Sequence, residues 1–119
     1  MHSFRNLIVW KKSMQLVKEV YAILGFLPSH EQYALSDQIR RAVVSIPSNI
    51  AEGCDRNSDK EFLQFLYIAR GSKAELETQL EIAEMLGYLK RSQLNEILTL
   101  SEEVGKMLNK LISSLKTSN

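Results

Sequence analysis

Few side chains in this 119-residue chain are equipped for bond-making chemistry: two histidines, one cysteine and a run of glutamates at Glu77, Glu81 and Glu84. A di-metal centre inside a helical bundle draws a Glu from each of two helices and a Glu-x-x-His pair from each of the other two. Glu81 and Glu84 have that i, i+3 spacing, but no histidine accompanies them; His2 lies near the terminus and His30 at a helix start. The three glutamates read instead as a solvated acidic face, and no metal or cofactor is expected. Nucleophilic catalysis has no better footing. There is no Gly-x-Ser-x-Gly elbow, Cys54 lacks a histidine partner, and no glycine-rich phosphate loop is present. An enzyme is not expected.

Polar residues at helical spacing are more informative. Gln38, Arg41, Ser45, Asn49 and Glu52 form one row, and Ser72, Glu75 and Gln79 another. Buried polar rows destabilise a fold unless they are paired, so the two rows should meet each other, water or another subunit. In the same region Pro47 interrupts an apolar helical pattern. It removes one intrahelical donor and crowds the Val43 carbonyl, costing about 3 kcal/mol. Such a proline implies a bend used for packing or assembly. Gly71 raises a similar question, because glycine inside a helix costs about 1 kcal/mol relative to alanine. Close approach of a neighbouring helix is the expected return for Gly71-Ser72.

Four helices must position these groups. The first shows Leu7, Trp10, Met14, Val17, Tyr21 and Leu24 as one stripe at three-four spacing. Gly25 and Pro28 end it. Ser29 with Gln32 fits a capping box for the second helix, with a later start near Ser36 as the alternative. Its stripe is Leu35, Ile39, Val43, Ile46 and Ile50, and Gly53 is its expected stop. Ser58 with Glu61 caps the third, whose stripe Phe62, Leu66, Ala69, Leu76, Leu80 and Ala83 is interrupted at Lys73; Gly87 closes it. Ser92 is the expected cap of the fourth, which carries Leu94, Ile97, Leu98, Val104, Leu108, Leu111 and Leu115. Residues 116–119 read as frayed.

Short connections between four such helices predict an all-α, antiparallel up-down-up-down four-helix bundle, one domain over 1–119. Apolar residues spread past one stripe at Ala42, Val43 and Val44, and again at Leu63, Tyr67, Ile68 and Ile82. This second surface is expected to be a subunit contact.

Composition sets the outer bounds. A net charge of +1 excludes a globally basic nucleic-acid binder, so any attraction for phosphate must come from local clustering. The lone cysteine provides no disulfide framework and makes a reducing, cytoplasmic setting the default. The longest uncharged stretch, Val20 to His30, falls far short of the ~20 apolar residues of a membrane span. Local clustering does occur. Folding the second helix on the third around residues 53–58 sets Arg41 level with Arg70 and Gln38 level with Lys73. Lys106 and Lys110, with Lys11 and Lys12, arrive at a similar height. Glu77, Glu81, Glu84, Glu96, Glu102 and Glu103 fall towards the other end. Asp37 with Arg41, and Lys73 with Glu77, have the i, i+4 spacing of helical ion pairs, which would quench part of this belt.

Several segments together resemble a known group. They are Leu7-Ile8-Val9-Trp10, Gln38-Ile39-Arg40-Arg41-Ala42, Ser45-Ile46-Pro47-Ser48-Asn49-Ile50-Ala51-Glu52-Gly53, Ile68-Ala69-Arg70-Gly71-Ser72 and Gly87-Tyr88-Leu89. The chain resembles, nearly end to end, the four-helix-bundle proteins encoded in intervening sequences of bacterial 23S ribosomal RNA genes. The resemblance implies a ring-like homopentamer and kinship with accessory proteins of diversity-generating retroelements. It implies no enzymatic activity.

The expected function is therefore non-enzymatic: a homo-oligomer with a basic surface for RNA or DNA. Arg40, Arg41, Arg56, Lys60, Arg70 and Lys73 are the expected phosphate contacts. Pro47, Asn49, Glu52, Gly53, Gly71, Ser72 and Glu75 are expected to shape the interface. The competing expectation is a scaffold that recruits a protein partner and makes no nucleic-acid contact of its own.

Overall fold

The computed structural model describes residues 3–117, so His2 and residues 118–119 lie outside the described residues. Four helices run antiparallel in sequence order: α1 (Ile8–Ile23), α2 (Leu35–Cys54), α3 (Asp59–Met85) and α4 (Arg91–Thr117). Short 3-10 turns at Phe4–Asn6, Leu24–Phe26 and Ser29–Glu31 precede α1 and connect it to α2. No strand occurs among the described residues. α1 packs against α2 and α4, and α3 packs against the same two, which is the expected up-down-up-down order. The bundle measures 46 × 24 × 20 Å, its long axis matching α3 and α4 at about 1.5 Å per residue.

The core follows the periodicity in three helices. Ile39, Val43, Ile46 and Ile50 of α2 are fully buried, as are Leu66, Leu76 and Leu80 of α3 and Leu94, Val104 and Leu108 of α4. α1 departs from expectation. Its buried face is Val9, Ser13, Leu16 and Val20, while Met14 and Tyr21 of the expected stripe are exposed and Trp10 and Val17 lie at its edge. The helix carries two apolar stripes. The one holding Ser13 enters the core because the Ser13 hydroxyl donates to its own helix, at the Trp10 carbonyl 2.8 Å away.

Helix ends show similar shifts. Ser58 caps α3 as expected, its hydroxyl accepting from Glu61 N–H at 3.2 Å, and Gly87 closes that helix at φ +82°. α2 starts at the later of the two expected places, and the Glu31 carboxylate accepts from Leu35 N–H at 3.3 Å. α4 begins before Ser92, with the Gln93 side chain accepting from Lys90 N–H at 2.7 Å. The last turn is helical through Lys116 and Thr117, because Leu115 still packs on the core.

α2 ends at Cys54, one residue past the expected stop at Gly53, which itself stays in right-handed helical conformation. Gly53 is buried inside α2, where a Cβ would stand 2.7 Å from Phe65 Cβ and 2.9 Å from Phe62 Cδ1. Its role is to let α2 and α3 close together just before their connection. α2 also runs unbroken through Pro47, which is itself buried.

Candidate nucleic-acid and subunit interface

The two polar rows meet, as their spacing suggests. Ser45 and Ser72 share a hydrogen bond of 2.8 Å between α2 and α3, and Asn49 donates to both the carbonyl and the hydroxyl of Ser45 at 2.8 Å. This short network joins two helices in a half-buried place where unmatched hydroxyls would destabilise the fold. Further along α3, buried Gln79 donates to Glu75 at 3.4 Å, and its Oε1 has no hydrogen-bond partner.

These contacts correct the expected register. Ser45 lies opposite Ser72, and Gly53 lies against Phe62 and Phe65. Arg41 is therefore level with Leu76, about 9 Å along the axis from Arg70 at 1.5 Å per residue. The connection over residues 55–58 ends in extended backbone at Ser58 and displaces the start of α3, whereas the expected pairing assumed a tight symmetric turn. The α3–α4 pairing does match expectation: Arg70 donates to Asn109 at 3.1 Å, and Lys73 lies across Gly105.

The six expected phosphate contacts consequently form three groups rather than one belt. Arg40 and Arg41 flank Asp37 at 3.7 and 2.8 Å. The Arg41 hydrogen bond holds the Asp37 carboxyl below its ordinary pKa, and the carboxylate in turn raises Arg41. Arg40 also donates to the Gln32 carbonyl at 2.8 Å, tying α2 to its preceding turn. Arg56 pairs with Glu52 at 2.7 Å and stacks 4.8 Å from the Phe65 ring centroid; Lys60 is exposed in the first turn of α3. Arg70 stacks over Tyr67 at 5.2 Å. Lys73, largely covered, bonds Glu77 at 3.0 Å, and Glu77 accepts from buried Ser101 at 2.7 Å.

The glutamates also sit differently. Glu77, Glu102 and Glu103 lie near mid-height, paired with Lys73, Lys106 and Lys12, while Glu81, Glu84 and Glu96 lie further out. A separation of charge nonetheless exists along the whole bundle. The boundary runs near Lys12, Ala42, Glu75 and Glu103. One half holds the start of α1, the α2–α3 connection and the end of α4. Its carboxylates among the described residues are Glu52, Asp55, Asp59, Glu61 and Glu75, against most of the Lys and Arg. In the other half the cations among the described residues are Lys18, Arg40, Arg41, Lys90 and Arg91, against all remaining Asp and Glu. A nearly neutral chain is thus basic in one half and acidic in the other.

An apolar groove of about 410 Å³ runs along the α1–α2 flank, lined by Phe4, Trp10, Met14, Val17, Val44, Pro47, Ser48 and Ala51. Met14 is 44% and Val44 39% exposed. The sequence reading placed the α1 residues of this groove in the core and missed the site; the second stripe, Val9, Leu16 and Val20, was the available signal. The expected second surface is correspondingly smaller. Ala42, Val43 and Leu63 belong to the core, leaving Val44, Ile68 and Ile82 exposed. Gly71 is exposed with nothing within 4 Å of a built Cβ, so no helix of its own chain approaches it. Gly105, unnoticed in the sequence, is the glycine of α4 that accommodates Lys73. Among the described residues no three His, Cys, Asp or Glu are grouped to hold a metal ion, and no helix is long and apolar enough to cross a membrane.

No curated protein matches this chain. A solved structure does: a protein of unknown function from the S23 ribosomal protein family of Bacteroides thetaiotaomicron. It is 32% identical, with TM-score 0.80, over 88% of this chain and 98% of that one. The four-helix shape of this chain is thus one already seen in a relative. The family model for the 23S rRNA-intervening sequence protein matches residues 5–110, nearly all of the bundle, and this chain is a member of that family.

Proposed function

We propose that the chain is a non-enzymatic, homo-oligomeric bundle protein whose basic half holds the phosphate backbone of RNA or DNA. The observation that carries this reading is the division of charge along the bundle, which concentrates Lys60, Arg70, Lys106, Lys110 and Lys116 at one end of α3–α4. Assembly is supported by the α1–α2 groove, an apolar flank parallel to the bundle axis. Copies joined side by side about a closed rotation axis present all their basic halves on one face. Phosphate binding by such a face is sequence-independent and strongly salt-dependent. Arg56 and Arg70 contribute in addition because their guanidinium planes are already held over aromatic rings.

The test is retention of a short RNA across a salt titration. We expect binding at low salt that falls linearly on a log–log plot, and a loss of about tenfold or more with Arg70→Glu plus Lys110→Glu. Binding indifferent to both salt and charge reversal contradicts the reading. A second reading is a scaffold for a protein partner. It is favoured by the prior pairing of Arg41, Arg56 and Lys73 with carboxylates. Capture of a partner that survives nuclease and high salt, without RNA retention, supports that alternative.

A further inference from the structure

We propose that Arg70, Tyr67 and Asn109 form a seat for an unpaired nucleobase, so that the nucleic acid held by the basic half is single-stranded. This deepens the phosphate-binding reading above and rests on it. Among the described residues three arginines stand over aromatic rings: Arg5 over Phe4 at 4.5 Å, Arg56 over Phe65 at 4.8 Å and Arg70 over Tyr67 at 5.2 Å. They differ in their surroundings. The Phe4 ring leans on Trp10 at 5.3 Å, and both line the lateral groove. Arg56 is committed to the Glu52 carboxylate at 2.7 Å, close in the chain to Asp55, Asp59 and Glu61, where an anion is repelled. Arg70 is held instead by a neutral group on another helix, the Asn109 side chain of α4 at 3.1 Å.

That arrangement is set up for stacking. Tyr67 is half-buried against the core, so its ring is a fixed floor. Arg70 is exposed, and its guanidinium presents to solvent the face turned away from the ring. A planar guanidinium stacks on flat π systems, which an ammonium does not. Asn109 uses its carbonyl oxygen on Arg70, which leaves the N–H2 of the amide as a donor for the acceptor edge of a base. One residue on, exposed Lys110 is placed to meet the adjoining phosphate. Carboxylates keep their distance. α3 has none between Glu61 and Glu75, and α4 none beyond Glu103. Glu61 lies about 13 Å along the axis from Arg70, and Glu75 is turned about 140° around the helix. Glu77 and Glu102, two turns from Arg70 and Asn109, are engaged by Lys73 at 3.0 Å and Lys106 at 3.5 Å. Bases inside a duplex cover one another's faces, so the seat accepts a base only from a single strand, loop or end.

The experiment is fluorescence anisotropy of the full chain with a labelled RNA of about 12 nucleotides, across a salt titration. The RNA is presented as a single strand, as a duplex with its complement, and as an abasic strand of the same length and charge. We expect the base-bearing strand to bind about tenfold more tightly than the abasic one. Arg70→Lys keeps the charge and loses the plane. It should remove most of that tenfold difference, leave the salt slope unchanged, and leave duplex and abasic binding as they were. Asn109→Ala should act in the same direction; both side chains are exposed, so an unchanged melting temperature confirms that the fold persists. Equal affinity for base-bearing and abasic strands, both falling with salt, overturns the base seat and leaves the phosphate reading standing. So does an Arg70→Lys chain that is weakened towards all three forms alike, because a lost phosphate contact then accounts for the effect. Failure to bind any form at low salt overturns both readings.

Discussion

Gly53 and Gly105 both occupy places where a methyl group would collide, but the collisions differ in kind. At Gly53 the obstacles are Phe65 Cβ at 2.7 Å and Phe62 Cδ1 at 2.9 Å, atoms anchored to a packed helix. Gly53→Ala should therefore destabilise by about 1–3 kcal/mol in urea melts. At Gly105 the nearest atom is Lys73 Cε at 2.5 Å, the far end of a flexible chain. Gly105→Ala should stay within about 1 kcal/mol of the wild type, because better helix propensity offsets the displaced lysine. Tyr88 supplies a pH signature. Its hydrogen bond to Glu31, then burial and the Glu31 charge, raise its pKa above the ordinary 10.0. The unfolded chain ionises first, so the stabilisation is complete below pH 10.0 and is lost as pH rises towards the folded value. Above pH 10.0 the wild type should lose stability more steeply than Tyr88→Phe, as measured by denaturant midpoints. Local pairs such as Asp37–Arg41 and Lys73–Glu77 were legible because i, i+4 spacing determines them within one helix. The Lys73–Gly105 contact was not, since it depends on how two helices dock.

Elements were legible where one apolar stripe dominates. α2 and α3 followed their periodicity, and Ser58 and Gly87 marked a start and a stop through side-chain and backbone chemistry that operates locally. α1 was misassigned because it has two stripes and the buried one contains a serine. Choosing between them requires knowing that Ser13 satisfies its hydroxyl on the Trp10 carbonyl. The α2–α3 register failed for a related reason: a connection's length does not specify the path it takes. Gly71 belongs to this scale as well. With nothing near a built Cβ in its own chain, Gly71→Ala should stabilise an isolated bundle by about 0.5–1 kcal/mol. If Gly71 lies in a subunit contact, the same change should raise the dissociation constant of the oligomer. Paired melts at low and high protein concentration distinguish the two effects.

At the scale of the molecule, the architecture was readable because four amphipathic helices with short connections have few ways to bury their faces. The end-to-end charge division was partly readable. Its existence followed from the order of charges along the chain, but its boundary depended on the register. The lateral groove was half readable: Val44 and Pro47 were expected at an interface, whereas Trp10, Met14 and Val17 looked like core. That groove is also where the account is most exposed to test. Particle mass by sedimentation equilibrium, for the wild type and for Val44→Asp at micromolar concentration, tests it most directly. The account predicts a wild-type mass several times the 13.6 kDa of the chain, reduced towards one chain by the aspartate while the helical signal is kept. A wild type that sediments as a single 13.6 kDa chain would contradict it.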